Sequence, residues 1–256
     1  MAITGTDRGT GTHNTGSTTF VCSPGSTIPV GSAGILVVAL DNAATGGTAG
    51  NVPSSVTDSV GNVWTRQQNP TYDPAGASAG VETACYVCES LVTQLTSANN
   101  VTLNLGSTTT AKAFAFHEAT PTDATKKISY VGGAAGTGAG TGSPVFASNP
   151  SITSGNMIIG WGGAEQTDTW TGDSDTTNGS WSAQQHAGVG SGTSAMSITT
   201  QRKVVTATGT QTYGPTLTSA DCILGYIELT EVARLNLVNL ESLNRGLNRG
   251  INQGVA

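Results

Sequence analysis

The sequence predicts an all-β protein: an antiparallel, jelly-roll-like β-sandwich built from two pseudo-repeated halves, with an arm at each end. Three observations predict it. Gly, Thr, Ser and Ala dominate, and charged residues make up only 10% of the chain, far below the usual roughly 25%; such a composition suits short strands joined by tight turns. Short apolar or alternating runs recur between turn-forming clusters at the spacing of a sandwich. The order of those runs in the first half of the chain returns in the second.

Residues 1–16, "MAITGTDRGTGTHNTG", show no apolar period and read as an extended N-terminal arm. Residues 17–131 form the first β half. In it "GILVVAL" (residues 34–40) is a continuous apolar run, short enough for a strand buried on both faces. "DSVGNVWTRQQ" carries a turn at Gly61-Asn62 followed by a strand. "ACYVCESLV" and "VTLNLG" alternate, and "AKAFAFHEA" puts Phe114 and Phe116 on one face, with His117 at the rim of the strand. Residues 132–143, "GGAAGTGAGTGS", are a Gly-rich stretch that reads as a linker or long exposed loop. Its G-x-G pattern lacks the preceding strand and following helix of a dinucleotide site.

Residues 144–231 form the second half, where four segments answer four of the first. "AGILVVALDN" is matched by "SGNMIIGWGGAE", and "GNVWTRQQ" by "NGSWSAQQ", which pairs Trp64 with Trp181. "ACYVCESLV" is matched by "AMSITTQRKVV", and "AFAFHEAT" by "ILGYIELT". A half of this size with so few aromatics has a thin core, so the halves are expected to share apolar faces in one body.

From residue 232 the pattern changes. Leu237, Leu240, Leu243, Leu247 and Ile251 recur at spacings of three and four, one stripe of a helix that Glu231 would start. Gly246, Gly250 and Gly254 then interrupt it, each costing about 1 kcal/mol of helicity relative to Ala. A segment with an apolar stripe and low intrinsic order calls for a partner surface. Residues 232–256 therefore read as a partly helical docking arm, with the stripe and the flanking Arg245 and Arg249 as its contact residues.

Few chemistries find support. The formal net charge of −6 and the lack of a basic run oppose nucleic-acid binding. No apolar run approaches the roughly 20 residues that span a bilayer, and no export signal follows Met1. There is no G-x-S-x-G elbow, H-E-x-x-H or P-loop, so no catalytic residue and no cofactor is assigned. Cys85 and Cys88 form C-x-x-C, but residues three apart on a strand face opposite ways. With Cys22 and Cys222 they are expected to be buried thiols. "TGDSDTTNG" is a faint calcium-loop pattern through Asp173 and Asp175, without its glycine and final glutamate. Trp161 and Trp181 are expected in the core, whereas Trp170 is the tryptophan expected at the surface, beside Asp173 and Asp175 in a possible ligand loop.

The run "IPVGSAGILVVALDN…VTDSVGNVWTRQQ…ACYVCESLV…VTLNLGSTTTAKAFAFHEA" resembles β-rich structural proteins of tailed bacteriophages and prophages. These carry a "G-D-hydrophobic" strand, a "D-S-x-G-N-x-W/Y-T" hairpin and a closing "A-hydrophobic-x-E" strand. The likeness spans roughly residues 17–230 and departs at Ala33-Gly34, where the family has Gly-Asp. It implies a virion component assembled in the host cytoplasm: a capsid decoration (cement) protein, a homo-oligomer bound to the major capsid protein or another virion subunit. A tail-fibre or baseplate module that binds a receptor or carbohydrate is the alternative. The resemblance supplies no catalytic residues.

Overall fold

A computed structural model describes residues 3–41, 53–72, 80–138, 150–167, 169–218 and 221–234. Apart from one 3₁₀ turn, Gly192–Ser194, the regular elements among them are strands. In the first half these are β1 (Thr4–Cys22), β2 (Ala33–Asp41), β3 (Ser55–Asp58), β4 (Thr65–Gln68), β5 (Thr71–Tyr72), β6 (Val81–Cys88) and β7 (Val101–Thr120). The second half supplies β8 (Lys126–Gly138), β9 (Ser151–Ile152), β10 (Met157–Ala164), β11 (Gln185–Val189), β12 (Met196–Val204), β13 (Gly209–Thr210) and β14 (Cys222–Ala233).

All strand pairing among the described residues is antiparallel. The first sheet runs β1-β7-β2-β6-β4, with β3 also on β7 and β5 on β6; the second runs β11-β12-β10-β14-β8, and β9 pairs with β13. The sheets pack face to face as a β-sandwich. Its central core takes the odd-numbered residues of the middle strands: Ile35, Val37 and Ala39 from β2 and Ala113 and Ala115 from β7, against Ile159 and Trp161 from β10 and Ile223 and Ile227 from β14. Facing alanines with a tryptophan keeps the layers close, and Trp161 Nε1 donates to Thr83 Oγ1 across them at 3.2 Å.

Each sheet's outer face has its own cover. On the first, the long β1–β7 ribbon bends back over the sheet. Phe20 pairs with Leu103 at the far end of the ribbon, yet its ring lies 5.7 Å from Phe114 in the near part. Phe20, Leu103 and Leu105 thus close over Leu36, Val38, Leu40 and Phe116. On the second, Trp170, Trp181, Tyr213 and Leu217 from two long loops cover Ile158, Leu224 and Tyr226. Glycines make this possible: a Cβ at Gly160 would sit 2.5 Å from the Tyr213 ring, and one at Gly162 2.8 Å from Trp170.

Several expectations meet the structure directly. β2 is buried at every position, Gly61 has the positive φ of a turn, and Phe114 and Phe116 share a face. Cys85 faces the central core and Cys88 the outer one, and all four thiols are free and buried. Others are corrected. The stretch read as an N-terminal arm is extended, but Thr4–Cys22 is paired along β7 as a sheet strand. The Gly-rich run from residue 132 continues β8 to Gly138, because the small residues pair with β14 as its edge; residues 139–149 lie outside the description. Glu231 starts no helix: β14 continues through Ala233, held in register by β8. The docking residues Leu237, Leu240, Leu243, Arg245, Leu247, Arg249 and Ile251 lie outside the described residues.

Candidate functional site

The loop expected to meet a ligand is instead fastened to the second sheet. Trp170 is only 1% exposed, and its Nε1 donates to Ser197 Oγ at 3.0 Å. The outward side chains of β12, Ser197, Thr199, Gln201 and Lys203, are all buried and form a polar row that grips the loop. Gln201 Oε1 accepts from the Asp173 backbone N–H at 2.6 Å, and its Nε2 donates to the carbonyls of Asp173 and Ser182. The aspartates of the calcium-like pattern serve the same end. Asp173 accepts from the Asp175 and Gly214 N–H groups, both at 2.7 Å. Asp175 accepts from Thr177 N and pairs with Lys203 Nζ at 3.1 Å, contacts that hold its carboxyl down at about 2. Their oxygens stabilise turns, and no cluster of three or more metal-ligating side chains occurs among the described residues.

A second cluster was invisible in the sequence. His117 is fully buried between the sheets, not at a rim. Its Nδ1 lies 3.0 Å from Asp7 Oδ1 and its Nε2 2.8 Å from Thr200 Oγ1, while Arg202 Nε donates to Asp7 at 3.0 Å. Burial alone would raise the Asp7 pKa; the hydrogen bonds and charges of His117 and Arg202 outweigh it and leave the pKa lowered. The next residue of β7, Glu118, faces the opposite way and is also buried. Arg8 grips one oxygen with Nε at 2.6 Å and with Nη2, and Ser32 and Thr120 donate to the other, each at 2.7 Å. A β-bulge lies between Asp7 and Gly9, and the consecutive β1 side chains Asp7 and Arg8 reach His117 on one face and Glu118 on the other. An acid–imidazole–hydroxyl sequence has the outline of a nucleophilic relay. Here Thr200 has no solvent-exposed surface, and its hydroxyl is spent on joining β12 to β7. The arrangement acts as a polar rivet through the sandwich.

Among the described residues, the three most exposed large apolar side chains gather at one end of the sandwich. Thr4 pairs with Thr120 and Ala233 with Lys126, so β1 begins and β14 ends on either side of the 121–125 connection. Glu231 takes the Thr122 N–H and hydroxyl and Lys126 Nζ, while Arg234 Nε donates to the Lys126 carbonyl at 2.8 Å and Nη2 to the Gly31 carbonyl at 3.3 Å. Arg234 walls a groove of about 360 Å³ with Pro29, Val30, Pro121 and Ala124. Beside it three loops lie edge to edge. Gly31 N–H donates to the Leu91 carbonyl, and Asn62 Oδ1 accepts from the N–H groups of Val92 and Thr93. These loops expose Val30 (61%), Val92 (72%) and Val63 (78%). Three exposed valines on neighbouring loops beside a groove make an apolar end, the kind of patch that marks an interaction surface.

No family model, curated protein or solved structure matches this chain. The reading of the site therefore rests on its geometry.

Proposed function

We propose that the protein is a non-enzymatic structural subunit of a tailed-phage particle, a capsid decoration protein that binds the shell through its apolar end. The observation that carries this reading is the convergence at one end of the sandwich. The first and last strands, the groove walled by Arg234 and the valines at 30, 63 and 92 all meet there. Residues 235–256, whose apolar stripe reads as a docking arm, continue from Arg234, so arm and patch would engage the major capsid protein or a sister subunit together. Symmetric assembly then multiplies weak contacts through effective concentration.

The two halves are read as repeats of one unit in a jelly-roll-like body. In support, the orders β1-β7-β2-β6-β4 and β8-β14-β10-β12-β11 place sequence-matched strands at matching positions. The carbohydrate-binding alternative loses its main support, since Trp161, Trp170 and Trp181 are all buried.

The test is assembly on capsids. Full-length protein mixed with undecorated shells should bind at high copy number and raise the shell's heat resistance. Val30→Asp combined with Val92→Asp should abolish binding while leaving the melting temperature of the isolated protein unchanged. Binding confined to a single vertex, or binding untouched by the double variant, overturns the assignment.

A further inference from the structure

Two tryptophans sit at matching places in their halves, Trp64 before β4, which pairs with β6, and Trp181 before β11, which pairs with β12, and each follows an aspartate at the same sequence distance: Asp58 before Trp64, Asp175 before Trp181. Both aspartates make the same local turn. Asp58 Oδ1 accepts from Val60 N–H at 2.7 Å and Asp175 Oδ1 from Thr177 N–H at 3.0 Å. Their second oxygens differ. Asp58 Oδ2 accepts the Trp64 indole N–H at 2.8 Å. Asp175 Oδ2 is taken by Lys203, whose fully buried ammonium also lies 5.5 Å from the centroid of the Trp181 ring. The lysine captures the carboxylate, and the Trp181 indole N–H is left without a protein acceptor although the residue is only 8% exposed.

A buried N–H without an acceptor is destabilising by about 1–3 kcal/mol. The wall beside it offers the complement. Trp181 and Gln211 line one small pocket with Pro150, Ile158, Tyr213 and Tyr226, and Gln211 Oε1, on a residue 4% exposed, also has no donor. The pocket's free volume is about 10 Å³, at the lower bound of the roughly 10–15 Å³ that one water requires. One donor and one acceptor, with the buried Tyr213 hydroxyl on the same wall also lacking a hydrogen-bond partner, fit a neutral group that both accepts and donates, and an ion finds no counter-charge among the lining residues. We propose that this pocket is a binding site for a single ordered water, which accepts from Trp181 Nε1 and donates to Gln211 Oε1. The water ties the loop that carries Trp181 to the loop that carries Gln211, a link with no counterpart at Trp64, where the aspartate takes the indole directly.

A crystal structure of the full chain at a resolution that reveals ordered solvent tests this. The expected result is one water within hydrogen-bond distance of both Trp181 Nε1 and Gln211 Oε1, and its loss in Trp181→Phe. In solution, the Trp181 indole proton should show a cross-relaxation peak to a long-lived water that the Trp64 indole does not. Gln211→Leu provides the same readout should Trp181→Phe fail to fold: the Trp181 peak should be lost. A dry pocket, a direct contact of Trp181 Nε1 with a protein oxygen, or a water peak unaffected by Gln211→Leu overturns the proposal.

Discussion

The two sheets face the same problem and cover their outer faces differently. In the first, the strands carry the bulk: Leu36, Val38 and Leu40 on β2 meet Phe20, Leu103 and Leu105 from a ribbon folded back over them. In the second, the matching strand β10 offers Gly160 and Gly162, and the volume comes from loop residues Trp170, Trp181 and Tyr213. Core volume is thus a property of the pair of layers, and it can be moved from strand to loop where glycine leaves room. The loops of the second half are for that reason part of its core, and its polar β12 row anchors them.

The comparison breaks first at Trp170. Trp170→Ala should cost about 3–5 kcal/mol, read by urea unfolding, whereas Val38→Ala on the first sheet should cost less, about 1.5–3 kcal/mol. A loss below 1 kcal/mol at Trp170 would mean that the loop is a dispensable cover.

Next come the strands that close each sheet. Arg8→Ala leaves the buried Glu118 carboxylate without its guanidinium and should cost about 3 kcal/mol. Its counterpart beside β8, the Lys127–Glu89 pair, is 39% and 34% exposed, so Lys127→Ala should cost under about 1 kcal/mol. Equal effects in the two variants would contradict the contrast.

Gly160→Val should cost about 1–3 kcal/mol by driving Cβ into the Tyr213 ring. Combined with Tyr213→Ala, the two losses should fall short of their sum by about 0.5–3 kcal/mol. Strict additivity would show that strand and loop do not share one volume.

The smallest effect concerns acid. Because folding lowers the Asp7 pKa below its ordinary 3.8, its contribution is complete above that value and is lost as pH falls through the folded pKa. Asp7→Asn should therefore flatten the stability–pH curve below pH 3.8 and leave a modest, pH-independent loss above it. An unchanged acid limb would remove Asp7 from the rivet.

Where side chains alternate or run apolar, the fold was legible. "GILVVAL", "VTLNLG" and the two phenylalanines of β7 carry their burial in their pattern. β1 was not, because its task is polar: Asp7 and Arg8 look like surface residues until β7 supplies His117 and Glu118, more than a hundred positions away in the sequence. The edge strand at 126–138 is hidden by its glycines, of which Gly133 packs against the β14 backbone, where a Cβ would lie 2.4 Å from the Tyr226 carbonyl oxygen. The polar neighbours of Trp170 suggest exposure in the sequence, yet those neighbours, Asp173 and Asp175, hold the loop down. At the apolar end, single valines in three separate turns carry no periodic signal; only the hydrogen bonds between the loops bring them together.

The closing of each sheet by its first and last strands has a consequence for synthesis. As the chain leaves the ribosome, β1 must wait for β7 and β8 for β14 before either finds its partner, so each half stays open along one edge until its final strand arrives. Long-range pairings of this kind slow folding, and they set a vectorial order in which the first half can zip shut while the second is still being translated.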